Sequence, residues 1–177
     1  PNDPRINETP WKIYPNLPCN DEENQEYQSN PQNSNGKWRF EQTVLDFKPN
    51  YVFGNGDPFF YEYQYHSPFR KFFNWVIAAP VDGIPQHNQW IQFFKDADGL
   101  MSYTDWGKDI LESYNLKVDG VFSPVASCDF FPIKKEEIDK FKKVLGFSNK
   151  KIIGTIMRNQ PRKLFDPLFA TFAEYLK

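Results

Sequence analysis

The stretch FNWVIAAPVDGIPQHNQWIQFFKDADGLMSYT, Phe73 to Thr104, decides the fold. It opens as a short apolar run around Trp75 to Ala79, closed by Pro80 and Asp82-Gly83, as a buried strand and its loop would be. Trp90, Ile91, Phe93 and Phe94 then recur at helical spacing, and DGLMSYT reads as a second strand. Two strands joined through a helix make a βαβ unit, which requires parallel strands.

Working outward, the same alternation continues. Upstream, KWRFEQTVLDF places Trp38, Val44, Leu45 and Phe47 at helical intervals, and PNYVFGNGD reads as a short buried strand. SPFRKF is a helix or a turn. Downstream, Thr104 stands where an N-cap belongs, before the helix DWGKDILESYN, and KVDGVFSP is a strand closed by Pro124. KKEEIDKFKKVLG is a charged helix with Ile138, Phe141 and Leu145 on one face and Gly146 at its end. KKIIGTIM reads as a strand, and LFDPLFATFAEYL as a last helix with Asp166 and Pro167 in its first turn. The expectation is an α/β fold of Rossmann-like βα units with a mainly parallel sheet covered on both faces. Residues 1–36 differ: NDEENQEYQSNPQNSNG has no period of either kind, so an irregular polar loop or mobile extension is expected there. No internal repeat is evident.

Composition narrows the class. The net charge of −2 does not indicate a general affinity for nucleic acid. Aromatic residues at 18 % point to a packed core and aromatic-lined grooves. The longest apolar runs fall far short of the roughly 20 residues that cross a bilayer, and no basic start leads into an apolar stretch. Cys19 and Cys128 form no metal spacing and too small a set for a disulfide framework, so a reducing, cytoplasmic setting is the default. A chain that starts at Pro1 and stops inside a helix reads as a fragment of something longer.

In parallel sheets ligands bind at the carboxyl ends of the strands. The positions to inspect are therefore Asp57, Pro80 to Gly83, Ser102 to Asp105, and Arg158 to Lys163. In GTIMRNQPRK, Arg158 and Lys163 flank a turn held by Pro161, placed to reach one diphosphate at a helix start. Taken alone, solvated basic residues explain the turn better, and there is neither a P-loop nor a GxGxxG. Asp57 reads as a turn cap or a cleft residue. Thr104 and Asp105 begin a helix whose terminus would face the cleft. Asp82 is open to two readings, a hydrogen-bond partner of a sugar or acceptor hydroxyl, or the start of a Val-Asp-Gly turn. His66 and His87 read as surface or capping groups, and Cys128 as a small apolar filler. In the run PFFYEYQYHSPFRKFF, core packing is preferred over a sugar-binding groove.

The longer context is more specific. From Pro124 through Asp129, Phe131-Pro132, Leu145-Gly146, Gly154, Arg158 and Arg162-Lys163, the chain resembles the interdomain crossing of family 4 retaining glycosyltransferases of the GT-B fold. PVDGIPQHNQWIQFFKDADGLMSYTDWGKDILE looks like the end of that family's acceptor-side domain, and FKPNYVFGNGDPFF like the strand before it. The resemblance covers roughly residues 37 to 177. It implies a partial GT-B fold, with 37–123 ending the acceptor-side domain, 124–133 crossing over and 134–177 opening the donor-binding domain. It also implies an enzyme that transfers a sugar from a nucleotide-diphosphate-sugar donor to an unidentified acceptor with retention.

Within it, Arg158 and Lys163 would hold the donor diphosphate and stabilise the leaving group without a metal or other cofactor, and Arg162 would point elsewhere. Asp82 would be the catalytic candidate, with Asp57, Thr104 and Asp105 lining the cleft. Two positions depart from the family pattern. Ala126-Ser127 stands where a Gly is usual, and Asp82 stands near the place of a His. The glutamate pair that holds the donor ribose and sugar would lie beyond Lys177, so the chain alone is expected to be inactive, with uncovered edges through which it could self-associate. The alternatives are a non-catalytic α/β module binding carbohydrate or protein, and an assembly protein on an old enzyme scaffold.

Overall fold

The computed structural model describes residues 8–125 and 130–176, which fall in two compact units divided after Val125. The first holds a four-stranded, all-parallel sheet. Its strands are β1 (Tyr51–Asn55), β2 (Asn74–Ala79), β3 (Gly99–Ser102) and β4 (Gly120–Val121), ordered β1-β2-β3-β4. Around it lie α1 (Asp21–Gln28), α2 (Lys37–Phe47), the one-turn α3 (Glu62–Tyr65), α4 (Asn88–Asp96) and α5 (Asp105–Ser113). The fold is α/β and Rossmann-like, as expected from the alternation.

The sheet register sorts the side chains. Val52 pairs with Trp75 and Ile77 with Leu100, so Val52, Gly54, Trp75, Ile77, Ala79, Leu100 and Ser102 share one face. That face is the core: Trp75 and Ile77 are fully buried against Ile91, Phe93 and Phe94 of α4 and Leu111 of α5. Among the described residues of this unit the expected cover on both faces is not there. Consecutive strand order with right-handed crossovers puts every connecting helix on the same side. The opposite face therefore carries Tyr51, Phe53 and Phe122 exposed, with Phe53 and Phe122 in edge contact at 6.2 Å. For the same reason β1 is not the buried strand expected. It is an edge strand in which only Gly54 is buried.

A short repeat emerges that the bare sequence did not suggest. DGLMS (98–102) and DGVFS (119–123) enter the sheet in the same way. The Asp98 N–H donates to Trp75 O at 2.9 Å while its carboxylate accepts from the Trp75 N–H at 2.8 Å. Asp119 does likewise with Leu100, at 2.7 and 3.0 Å. Each Asp thus clamps the start of its strand to the preceding one.

Lys117 first, and the Leu100 N–H second, hold the Asp119 carboxyl below its ordinary range. A depressed folded value means stability that is present above the unfolded pKa and lost as pH falls through the folded one. The Asp119 side chain is 39 % exposed, so the contribution is small. The stability gap between the native protein and Asp119→Asn, read from urea midpoints, should hold above the ordinary carboxyl value of 3.8 and shrink as pH falls below it; a gap of constant size would remove the charge from this clamp.

Residues before α2 are more ordered than their composition suggests. Asn20 caps α1 by accepting from the Glu23 N–H at 2.9 Å, and Asp21, Glu22 and Glu23 favour the positive end of the helix. A 3₁₀ turn follows at Pro31–Asn35, whose buried Asn33 donates to Glu26 O at 2.9 Å. Arg39 holds the segment to α2, donating to Pro15 O at 2.9 Å and pairing with Glu23 at 2.8 Å. The irregular-loop expectation for 1–36 is thereby corrected for its described part; residues 1–7 lie outside it.

The second unit contains α6 (Lys135–Val144), closed by Leu145 and a positive-φ Gly146, then a 3₁₀ turn at Pro161–Lys163, and α7 (Phe165–Tyr175). Both helices match expectation, including Asp166 and Pro167 in the first turn of α7. The strand expected from KKIIGTIM is absent among the described residues. Ile152, Ile153 and Ile156 are exposed, and an apolar run with no neighbour to bond its N–H and C=O groups makes no ladder. Ala126, Ser127, Cys128 and Asp129, named above, lie outside the described residues.

Candidate functional site

The carboxyl ends of β1 and β3 are joined side chain to side chain. The Tyr103 hydroxyl, just past β3, donates to Asn55 Oδ1 at the end of β1 at 2.6 Å. Ser123 Oγ donates to Tyr103 O at 3.0 Å and draws in the end of β4. Beyond Asn55, Asp57 takes the N-cap position of a 3₁₀ turn, Pro58–Phe60, but its side chain does not cap it. Tyr61 follows, and its ring lies over Gly54: a Cβ there would sit 3.1 to 3.3 Å from three ring atoms. Only glycine at this place in β1 lets the tyrosine lie so close to the strand.

The Tyr61 ring is 3 % exposed, and its hydroxyl has no hydrogen-bond partner among the described residues. Burial first, then the Tyr103 phenol and the Asp57 carboxylate, push the Tyr61 phenol well above its ordinary value, so it is a neutral donor. Burial and Asp57 raise Tyr103 as well. The cluster has the character of a set of neutral hydroxyl and amide groups with one carboxylate beside them.

Thr104 is the expected N-cap: its Oγ1 accepts from the Gly107 N–H at 3.0 Å, and Asp105 begins α5, exposed. Ser102, fully buried, donates from Oγ to Thr104 O at 3.0 Å and fixes the turn. Asp82 is exposed in the loop after β2, which includes a cis Ile84-Pro85 bond. His87 is a cap, its Nδ1 accepting from the Gln89 N–H at 3.3 Å, and His66 is exposed beside Glu62. Among the described residues no group of His, Cys, Asp and Glu could hold a metal ion, and no helix is long and apolar enough to cross a membrane.

In the second unit Arg158 is exposed, while Lys163 ends the 3₁₀ turn directly before α7. Lys163 lines a groove of about 680 Å³ with Gly154, Met157, Phe165 and Phe169; Arg158 does not.

A depression of about 920 Å³ lies at the other end of the sheet, by the amino ends of β1 to β3. Arg70, Asp96 and Asp98 in its lining are already engaged. Arg70 donates to Asp96 O at 2.8 Å and pairs with Asp98 at 2.9 Å, and Tyr65 donates to Asp96 at 2.6 Å. It reads as the clamp that closes this end of the sheet.

Asn55 was not singled out from sequence; Tyr103 fell within Ser102 to Asp105 and Tyr61 within the aromatic run, neither with a role of its own. The aromatic run that contains Tyr61 divides: Tyr61 and Phe73 are core, Phe59, Phe60 and Phe72 exposed. Comparison of the chain with family models, with curated proteins and with solved structures finds no match.

Proposed function

We propose that the chain is the middle segment of a retaining GT-B glycosyltransferase, acting on a nucleotide-diphosphate-sugar donor in the cytoplasm. The reading rests on the resemblance set out above. Its main structural support is the turn carrying Lys163 immediately before α7, with Arg158 exposed on the approach to it. The parallel βα units of the first unit, and the division of the chain after Val125, fit the same arrangement.

In this mechanism the two cations meet the donor diphosphate as charge-assisted donors. Their charge counts most when the nucleoside diphosphate departs and its negative charge grows. Lys163 beside a helix start and Arg158 on the approach to it would supply that stabilisation, and the reaction would then require no metal. Asp82, Asp57, Thr104 and Asp105 belong to the acceptor side.

Titration with UDP and GDP, with uridine as the uncharged control, tests the reading. Arg158→Ala and Lys163→Ala are each expected to weaken diphosphate binding by about ten- to a hundredfold, the worth of a hydrogen bond to a charged group. Nucleoside diphosphates that fail to bind, or that bind the double variant as well as the native chain, would overturn it.

A further inference from the structure

We propose that β1 is an open pairing edge, to which the β1 strand of a second copy of this chain adds antiparallel about a two-fold axis. The inference goes beyond the transferase reading and does not rest on it.

The ladder shows which main-chain groups are spare. The Asn74 N–H donates to Asn50 O at 2.9 Å, and the Gly56 N–H donates to Ala78 O at 3.3 Å. In a parallel pair, alternate residues of a strand bond to one neighbour. Asn50, Val52, Gly54 and Gly56 therefore face β2, and the N–H and C=O groups of Tyr51, Phe53 and Asn55 point away from it. No other strand among the described residues pairs with β1, and Tyr51, Phe53 and Asn55 are all exposed.

The two edges of the sheet differ. At the far edge β4 is two residues long, and Pro124 follows it closely. Short strands, prolines and charges are the usual protection of an edge. β1 has five residues, with no charge and no proline among them. Pro49 and the positive-φ Gly56 bound it on either side. Such an edge takes up an extended main chain.

Symmetry selects the occupant. With Phe53 on the two-fold axis, Phe53 stands opposite Phe53, and Tyr51 opposite Asn55. In that register all three spare residues fall in hydrogen-bonded pairs, which exchange N–H···O bonds in both directions. Lys48 precedes the strand and Asp57 follows it. Antiparallel pairing therefore brings unlike charges to each end, where parallel pairing would bring like ones. The two Phe53 rings meet as a cross-strand aromatic pair on the open sheet face, beside Phe122.

Light scattering over a dilution series of the full chain tests the pairing. A few residues a side, against the roughly 20–30 of a stable interface, make a weak dimer. The native protein should therefore be a dimer at about 100 μM and a 20.9 kDa monomer at about 1 μM. Phe53→Ala keeps the outward N–H and should weaken the dimer less than about tenfold. Phe53→Pro removes that N–H, leaves the ladder to β2 whole, and should leave monomer alone with unchanged circular dichroism. If the proline variant fails to fold, Phe53→Lys sets like charges opposite one another on the axis and should give the same loss.

A native chain that is monomeric at about 100 μM overturns the proposal. A dimer that survives Phe53→Pro or Phe53→Lys overturns it too. Equal loss in Phe53→Ala and Phe53→Pro would mean that sheet faces stack and strands do not pair. Loss in Ile153→Lys, with Phe53→Lys still dimeric, would assign the contact to the exposed apolar run of the second unit instead.

Discussion

Trp75→Ala is expected to destabilise the first unit by about 3–5 kcal/mol, the usual cost of removing a large aromatic from a core. Trp75 is fully buried in the central strand β2 and belongs to the cluster that packs the helices on the sheet. Its ring meets Tyr61 and Tyr65 at 6.2 and 5.7 Å, and the Arg70 guanidinium lies 5.3 Å from it. Its Nε1–H donates to Gln64 Oε1 at 2.9 Å in a buried pair. Alanine would leave both a cavity and an unmet amide oxygen.

A small domain is stable by only about 5–15 kcal/mol, so the variant should be close to unfolding at ambient temperature. Urea titration followed by far-UV circular dichroism measures the loss. Trp75→Phe separates the two causes: most of the volume remains, the Gln64 oxygen is still orphaned, and a loss of about 1–3 kcal/mol is expected. A loss below about 1 kcal/mol for the alanine variant would mean that Trp75 is not the core residue described.

The same residue shows why much of this fold is legible. Phe73 to Thr104 reads correctly because strand and helix each bury one face, and burial imposes a period of two or of 3.6 on the apolar residues. Asp21–Gln28 buries nothing, so it left no such period. Its signals were local, an Asn cap and three acidic residues, and they are easily lost in a polar stretch. Ile152 to Met157 fails in the opposite sense. The apolar run is real, but a strand is a property of a pair, and a run cannot show whether its partner is present.

The candidate site divides along the same line. Thr104 was legible because capping is settled within three residues. Tyr103 and Asn55 were not, because their hydrogen bond joins positions 48 apart in sequence, which only the sheet register brings together. Asp57 and Asp82 lie after β1 and β2, as expected, and Lys163 lies in the turn before α7, but Arg158 follows no strand, since KKIIGTIM forms none among the described residues; the chemistry assigned to all four waits on binding experiments.

Gly107→Ala is expected to destabilise the first unit by about 1–3 kcal/mol, the range for overfilling a packed contact. Helix propensity argues the other way, since alanine is better than glycine inside a helix by about 1 kcal/mol. Packing decides the sign. A Cβ at Gly107 would lie 2.5 Å from Ser102 Oγ, 3.1 Å from Val81 Cβ and 3.2 Å from Thr104 Oγ1. Ser102 cannot turn aside without giving up its bond to Thr104 O, and Val81 is itself in the core. The contact is the close approach of α5 to the ends of β2 and β3, and it sets the turn that carries Tyr103, Thr104 and Asp105. Strain introduced there should therefore also loosen the Tyr103–Asn55 bond. Thermal melts of Gly107→Ala settle the first claim, because a stabilised protein would mean that helix propensity prevails and the approach is not tight.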